Sequence, residues 1–218
     1  MLPVREGMAA QDRPLVHHRE KSETEFARIG AFSDGVFAIA ITLLVLALEI
    51  PENVDLGEAI RERGAEFFAY FLSFAVVGRF WMDHHRFFGS IARYDSKLVA
   101  INLGHLSFVA LLPFTSEVLG EYSNDSVAVA MYGANLALAS ATFLAVVVYA
   151  FREGLVRDEA APYEARFAGV ANLAVVGVFA VSVPLAFLSP TIATISWISL
   201  FFLGDRVADR VTGIRAPR

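Results

Sequence analysis

Between Arg28 and Ile50 the chain is almost wholly apolar, and its exceptions could carry chemistry. Arg28, Ser33 and Asp34 occupy the first turns, and after Gly35 the only hydroxyl is Thr42. A carboxylate at a membrane boundary is costly unless it is paired or wet, so Asp34 marks a functional or assembly site. Two roles fit it. A ring of carboxylates attracts cations at a pore mouth; alternatively Asp34 pairs with Arg28, or with donors from later segments, and fixes its helix against its neighbours. Trp81, His84, His85, Asn102 and His105 supply such donors, which favours the second role. Ile39, Leu43, Leu46 and Ile50 recur at the three- and four-residue steps that stack side chains on one helical face. Such a stripe packs against lipid or other helices, or lines a pore, where a ring of isoleucines blocks conduction by dewetting. Thr42, one turn beyond Ile39, either offers a hydroxyl oxygen to a partly dehydrated cation or bonds back to the carbonyl four residues earlier.

The elements that must position these residues follow from composition. The chain has 218 residues, 56 % hydrophobic and 19 % charged, with no cysteine and a mean hydropathy of +0.53. A soluble domain is about a quarter charged, so the balance leans towards the membrane. The missing cysteine excludes disulfides, thiolate metal sites and a cysteine nucleophile. The net charge of −5, with no basic domain, argues against nucleic acid. No secretory signal is expected at the start, so the first span directs its own insertion.

Residues 1–25, with Arg13, His17, His18, Arg19 and Lys21, read as a disordered or loosely helical cytosolic tail. The first span, long enough at roughly 20 residues to cross the bilayer, ends near Pro51, where a polar connector with Asp55, Glu58, Arg61 and Arg63 begins. A second, aromatic-rich span runs from about Phe67 to His85 and ends in the polar cluster Arg79, Trp81, Asp83, His84, His85 and Arg86. A third is expected from Leu98 to Phe114, with Pro113 as a kink or helix-end device, and a fourth from Val127 to Phe151. The uncharged run 167–204 is too long for one span, and Ser189-Pro190 divides it into a fifth and a short sixth. Six spans leave only Arg61 and Arg63 as basic residues in the connectors after spans one, three and five, the positive-inside pattern with both termini cytosolic. The expected organisation is a tail at 1–25, a six-helix transmembrane domain at 26–205 and a tail at 206–218. One helix cannot enclose a pore, so a pore-lining first helix requires more than one copy.

Arg28 followed by Phe32-Ser33-Asp34-Gly35-Val36-Phe37-Ala38-Ile39-Ala40-Ile41-Thr42-Leu43-Leu44-Val45-Leu46 resembles the signature of the transmembrane protein 175 family of potassium channels, in its single-repeat prokaryotic branch. The resemblance implies six spans per subunit and a homotetramer whose first helices line the pore. It implies that the aliphatic residue seven after the motif phenylalanine, here Ile39, forms the constriction, with Leu43 and Leu46 the next layers and Thr42 in a supporting role. It also implies a buried polar network around the motif, with Trp81 and one of His84 and His85 matching the family's Trp-x-x-His pattern and Asn102 fitting beside them.

No phosphate loop, Gly-x-Ser-x-Gly or dinucleotide fingerprint is present, and Asp83, His84 and His85 have no nucleophile motif to serve, so catalysis is not expected. Metal-ligand spacing is absent, no cofactor is implied beyond permeant potassium ions, and the Thr-Val-Gly-Tyr-Gly filter of other potassium channels is missing. The reading is an all-α integral membrane protein, a passive potassium-permeable channel of the cell membrane that is homotetrameric and hydrophobically gated. The alternative is a proton-coupled transporter or exchanger using Asp34 and the histidines; a non-conducting scaffold is the third possibility. The lack of an internal repeat weakens the transporter case.

Overall fold

The computed structural model describes the backbone of residues 13–49, 55–157 and 161–197, and side chains at 26–49, 55–157 and 169–197. The chain is all-α there. Helix α1 (Arg13–Leu43) passes into a 3-10 turn, Leu44–Ala47; a short α2 (Leu56–Glu62) precedes the long helices α3 (Gly64–Gly89), α4 (Ser96–Glu121), α5 (Ser126–Arg152) and α6 (Ala161–Leu188). Five helices are long and apolar enough to cross a membrane: Phe26–Ala47 of the first, then Gly64–Gly89, Ser96–Glu121, Ser126–Arg152 and Gly169–Leu188. Helical backbone resumes at residues 190–197 after Ser189. The expected break at Ser189-Pro190 is therefore present, whereas the rest of the sixth span lies outside the described residues, as do Ile50, Pro51 and the tail 206–218.

Several boundaries differ from expectation. Helical backbone begins at Arg13 and continues without interruption into the first span, so no element boundary falls at residue 25. The first connector contains α2, with the Asp55 carboxylate capping the Glu58 N–H at 3.1 Å, a standard N-cap. The third span does not end at Phe114: α4 runs through Pro113 and on to Glu121. Proline removes one N–H from the ladder, a loss that membrane helices absorb when neighbouring groups re-satisfy the freed carbonyl. Pro184 likewise lies inside α6.

The helices stack in sequence order, α6 on α5, α5 on α4 and α4 on α3, while α1 packs across α3 and α4. One buried cluster, including Phe37, Ala40, Leu44, Val77, Val109 and Tyr132, joins α1 to this layer; a second, around Phe87, Ile91, Phe143 and Val147, closes the end carrying the α3–α4 turn. Asp95 secures that turn by accepting from the Tyr149 hydroxyl at 2.6 Å and the Leu98 N–H at 2.7 Å, and these bonds hold its carboxyl below the usual range.

The α5–α6 contact depends on Gly133. A Cβ there would lie 2.8 Å from the Ser182 hydroxyl, which is itself pinned by donating to the Phe179 carbonyl at 2.7 Å. Gly133→Ala is expected to destabilise by about 1–3 kcal/mol, the usual range for overpacking. Adding Ser182→Ala should recover most of that, a difference read from thermal unfolding in detergent.

Candidate functional site

Helix α1 has two sharply different faces. Ser33, Phe37, Ala40 and Leu44 are buried on α3 and α4, whereas Phe32, Ile39, Leu43 and Leu46 are 56 %, 61 %, 42 % and 67 % exposed. The handover from α to 3-10 geometry at Leu44 matters for this stripe. Side chains three apart eclipse each other in a 3-10 turn, so Leu46 is brought over Leu43 as the helix tightens. The Thr42 hydroxyl is exposed and donates back to the carbonyls of Ala38 at 3.0 Å and Ile39 at 2.9 Å. The self-bonding alternative for this residue is thus the observed one, and only its oxygen lone pairs remain for another partner.

Behind the stripe lies a directional chain of hydrogen bonds. Ser33 spends its proton on the Ile29 carbonyl at 3.0 Å, so its oxygen must accept, and it does so from the Asn102 amide at 3.0 Å. That orientation turns the Asn102 oxygen towards His84 Nε2, also at 3.0 Å, so the imidazole carries its proton there. Ser33, His84 and Asn102 are at most 1 % exposed. Aromatic rings enclose His84, with Phe88 stacked at 4.1 Å and Phe37 tilted at 5.4 Å. Of the two adjacent histidines, His84 joins the network, and the exposed His85 instead lies 5.5 Å from the Trp81 ring.

Asp34 accepts from the Trp81 indole N–H at 2.9 Å. Of the partners expected for it, α3 supplies the bond; no ion pair joins it to Arg28 among the described residues. Arg28 sits on the exposed face and, with Phe32, Tyr94, Asn102 and Leu103, lines an open groove of about 490 Å³ between α1 and α4.

Two further sets of polar contacts lie beyond these residues, and His105, a candidate donor for Asp34, belongs to one of them. His105, stacked 5.9 Å from His84, donates from Nδ1 to the Ala139 carbonyl at 2.9 Å, and its Nε2 has no partner among the described residues. Deeper in the layer, Ser116 donates to the Ala69 carbonyl, Ser73 to Ser116 at 2.7 Å and Tyr132 to Ser73 at 2.8 Å. The signal for both is polar side chains inside apolar spans, which mark helix–helix contacts. No group of three or more metal-ligating side chains occurs among the described residues.

Fold, span count and buried network together define a multi-pass α-helical membrane protein built around its first helix. Residues 28–113 match the family described as endosomal/lysosomal potassium channel TMEM175. A relative from Streptomyces collinus, named a potassium channel, is 38 % identical over 141 residues, 62 % of this chain and 68 % of that one. A solved structure, a lysosomal potassium-selective channel TMEM175 homolog from Chamaesiphon minutus, superposes with a TM-score of 0.76 at 28 % identity, covering 85 % of this chain and 99 % of the other. A relative from Gallus gallus, named an endosomal/lysosomal proton channel, is 29 % identical over 138 residues, 51 % of this chain and 28 % of its own length. The matches span 55 % to 68 % of the bacterial relatives' lengths. The chain belongs to the TMEM175 family. Its relatives are named as ion channels, neither enzymes nor transporters.

Proposed function

We propose that this chain is the subunit of a passive potassium-permeable channel of the cell membrane, in which four copies place their α1 helices around a central pore. One observation carries the reading: α1 buries Ser33, Phe37, Ala40 and Leu44 within its own subunit and leaves Ile39, Leu43 and Leu46 exposed on the opposite face. Four such stripes facing one axis form stacked hydrophobic rings, with Ile39 at the constriction and Thr42 beside it. The names of the bacterial relatives supply the ion, and closed symmetry supplies the arrangement. Phe32, Ser33, Asp34, Trp81, His84 and Asn102 hold α1 in place, and Arg28 stands on its exposed face, so that the polar motif shapes the pore without forming its narrowest part. Both termini are cytosolic, the transmembrane domain occupies 26–205, and residues 1–25 and 206–218 flank it.

The test is ion flux from purified protein in liposomes under a potassium gradient, with sodium and proton gradients as controls. Passive potassium flux that scales with the gradient is the expected result. Flux that appears only under an imposed proton gradient would instead support proton-coupled exchange. The name of the Gallus gallus relative favours protons as the second permeant species to measure.

A further inference from the structure

We propose that Arg28 forms a ring of guanidinium groups in the cytosolic vestibule, which slows cation entry from that side and binds multivalent phosphate-type anions. This rests on the pore reading above and adds a charged element to the same pathway. Arg28 and Asp34 are the only charged residues between Phe26 and Ala47. At about 100° per residue, the eleven residues from Arg28 to Ile39 come to roughly 20° past three full turns, so the two share an azimuth. The six residues from Arg28 to Asp34 leave the carboxylate about 120° away on the flank, where Trp81 holds it at 2.9 Å. Whatever axis Ile39 faces, Arg28 faces too, roughly 16 Å towards the cytosol.

The local surroundings support a charge that is available to solutes. The Arg28 side chain is exposed, and no carboxylate among the described residues lies within ion-pair distance. The groove beside it is lined by Ile29, Phe32, Tyr94, Val99, Asn102 and Leu103, none of which carries a counter-charge. Four such cations around a low-dielectric mouth produce a focused field that repels potassium and concentrates anions. The carboxylate and the arginine thus exchange the roles that composition alone would give them at a cation-channel mouth: the acid braces the helix, and the base faces the ions.

A ring on one side of a constriction makes conduction asymmetric, and screening makes the asymmetry depend on salt. In single channels in a neutral-lipid planar bilayer with symmetrical potassium chloride, current carried from the cytosolic side is expected to be smaller by up to roughly tenfold. This should hold near 10 mM salt, where the Debye length is about 30 Å, and fade near 1 M, where it is about 3 Å. Inorganic pyrophosphate on the cytosolic side should straighten the low-salt current–voltage curve. Arg28→Gln should give a straight curve that pyrophosphate leaves unchanged, and Arg28→Lys should behave as the wild type.

The chain has no cysteine, so Arg28→Cys introduces a unique thiol that can be tagged after the channel has assembled, which separates charge from folding. A cationic methanethiosulfonate tag should restore the wild-type asymmetry, and an anionic tag should invert it. Straight wild-type currents at low salt, or tags of opposite charge acting alike, would overturn the ring. Pyrophosphate acting equally on wild type and Arg28→Gln would overturn the anion site. If Ile39→Asn alters the currents while tag charge at residue 28 does not, only this proposal fails; if neither position affects the currents, the pore reading itself fails.

Discussion

Replacing Ile39 by asparagine is expected to raise potassium conductance severalfold and to bring the potassium-to-sodium permeability ratio close to one. The reason is wetting. A narrow ring of isoleucines holds water poorly, so an ion crosses only if it sheds part of its hydration shell or the ring widens. An amide at the same position keeps water in the constriction, lowering the barrier for every small cation and removing the penalty that distinguishes them. Ile39→Leu keeps the ring apolar and should keep both conductance and preference near the wild type. The 61 % exposure of Ile39 within its own subunit would equally suit a lipid-facing residue, and that reading predicts a different outcome. A lipid-facing asparagine makes the helix less favourable in the bilayer but leaves ion flow unchanged. Leu138 on α5, 48 % exposed, is the matching control: Leu138→Asn should leave single-channel currents unaltered. Unchanged currents in Ile39→Asn would remove Ile39 from the ion pathway.

Much of this was readable from residue types because the membrane restricts what a chain can do. Long apolar runs must be helices, so α3 and α5 match expectation within a few residues, α4 matches at its start, and Ser189-Pro190 ends α6 where expected. The errors have local causes. Pro113 reads as a kink or a helix end because proline ends helices in water, and α4 continues through it to Glu121. Helix is one of two alternatives for residues 13–25, and its continuity with the first span is not legible because their polar composition gives no apolar periodicity to detect. For Asp34 the residue types leave the partner open: Arg28 and Trp81 are both available, and only the placement of α3 against α1 brings Trp81 to 2.9 Å. The adjacent histidines differ for the same reason. One residue is 100° of helix, which sends His84 into the layer and His85 out of it. One subunit carries no signature of the direction Ile39 takes in an assembly, and ion flow through Ile39→Asn is the measurement that reads it.

The second large effect is expected at Asn102, which does not lie on the proposed ion pathway. Asn102→Leu keeps the branched shape and heavy-atom count of the amide but strands two groups at once, the His84 N–H and the acceptor oxygen of Ser33. The size of the effect depends on what is lost. A hydrogen bond between membrane helices averages only about 0.6 kcal/mol, because an unassembled helix finds other partners. A polar group left buried without a partner costs about 1–3 kcal/mol, and both stranded groups are at most 1 % exposed. Asn102→Leu should therefore lower the thermal stability of the assembled protein in detergent far more than the loss of two ordinary bonds would. Removing the stranded groups should reverse most of that loss. His84→Phe fits an enclosure already made of Phe37, Phe88 and Phe143, and Ser33→Ala removes the hydroxyl, so the triple variant leaves an apolar contact with no orphan. Size-exclusion profiles after stepwise heating measure this directly, with His84→Phe and Ser33→Ala alone completing the cycle. A triple variant no more stable than Asn102→Leu would mean that the network fixes α1 by geometry that only these side chains provide. Recovery would mean that the chain of bonds sets the register of α1 on α3 and α4 while the packing of Phe37, Ala40 and Leu44 supplies the stability. In that case Arg28 and Ile39 hold their common azimuth because the opposite face of the same helix is held so firmly.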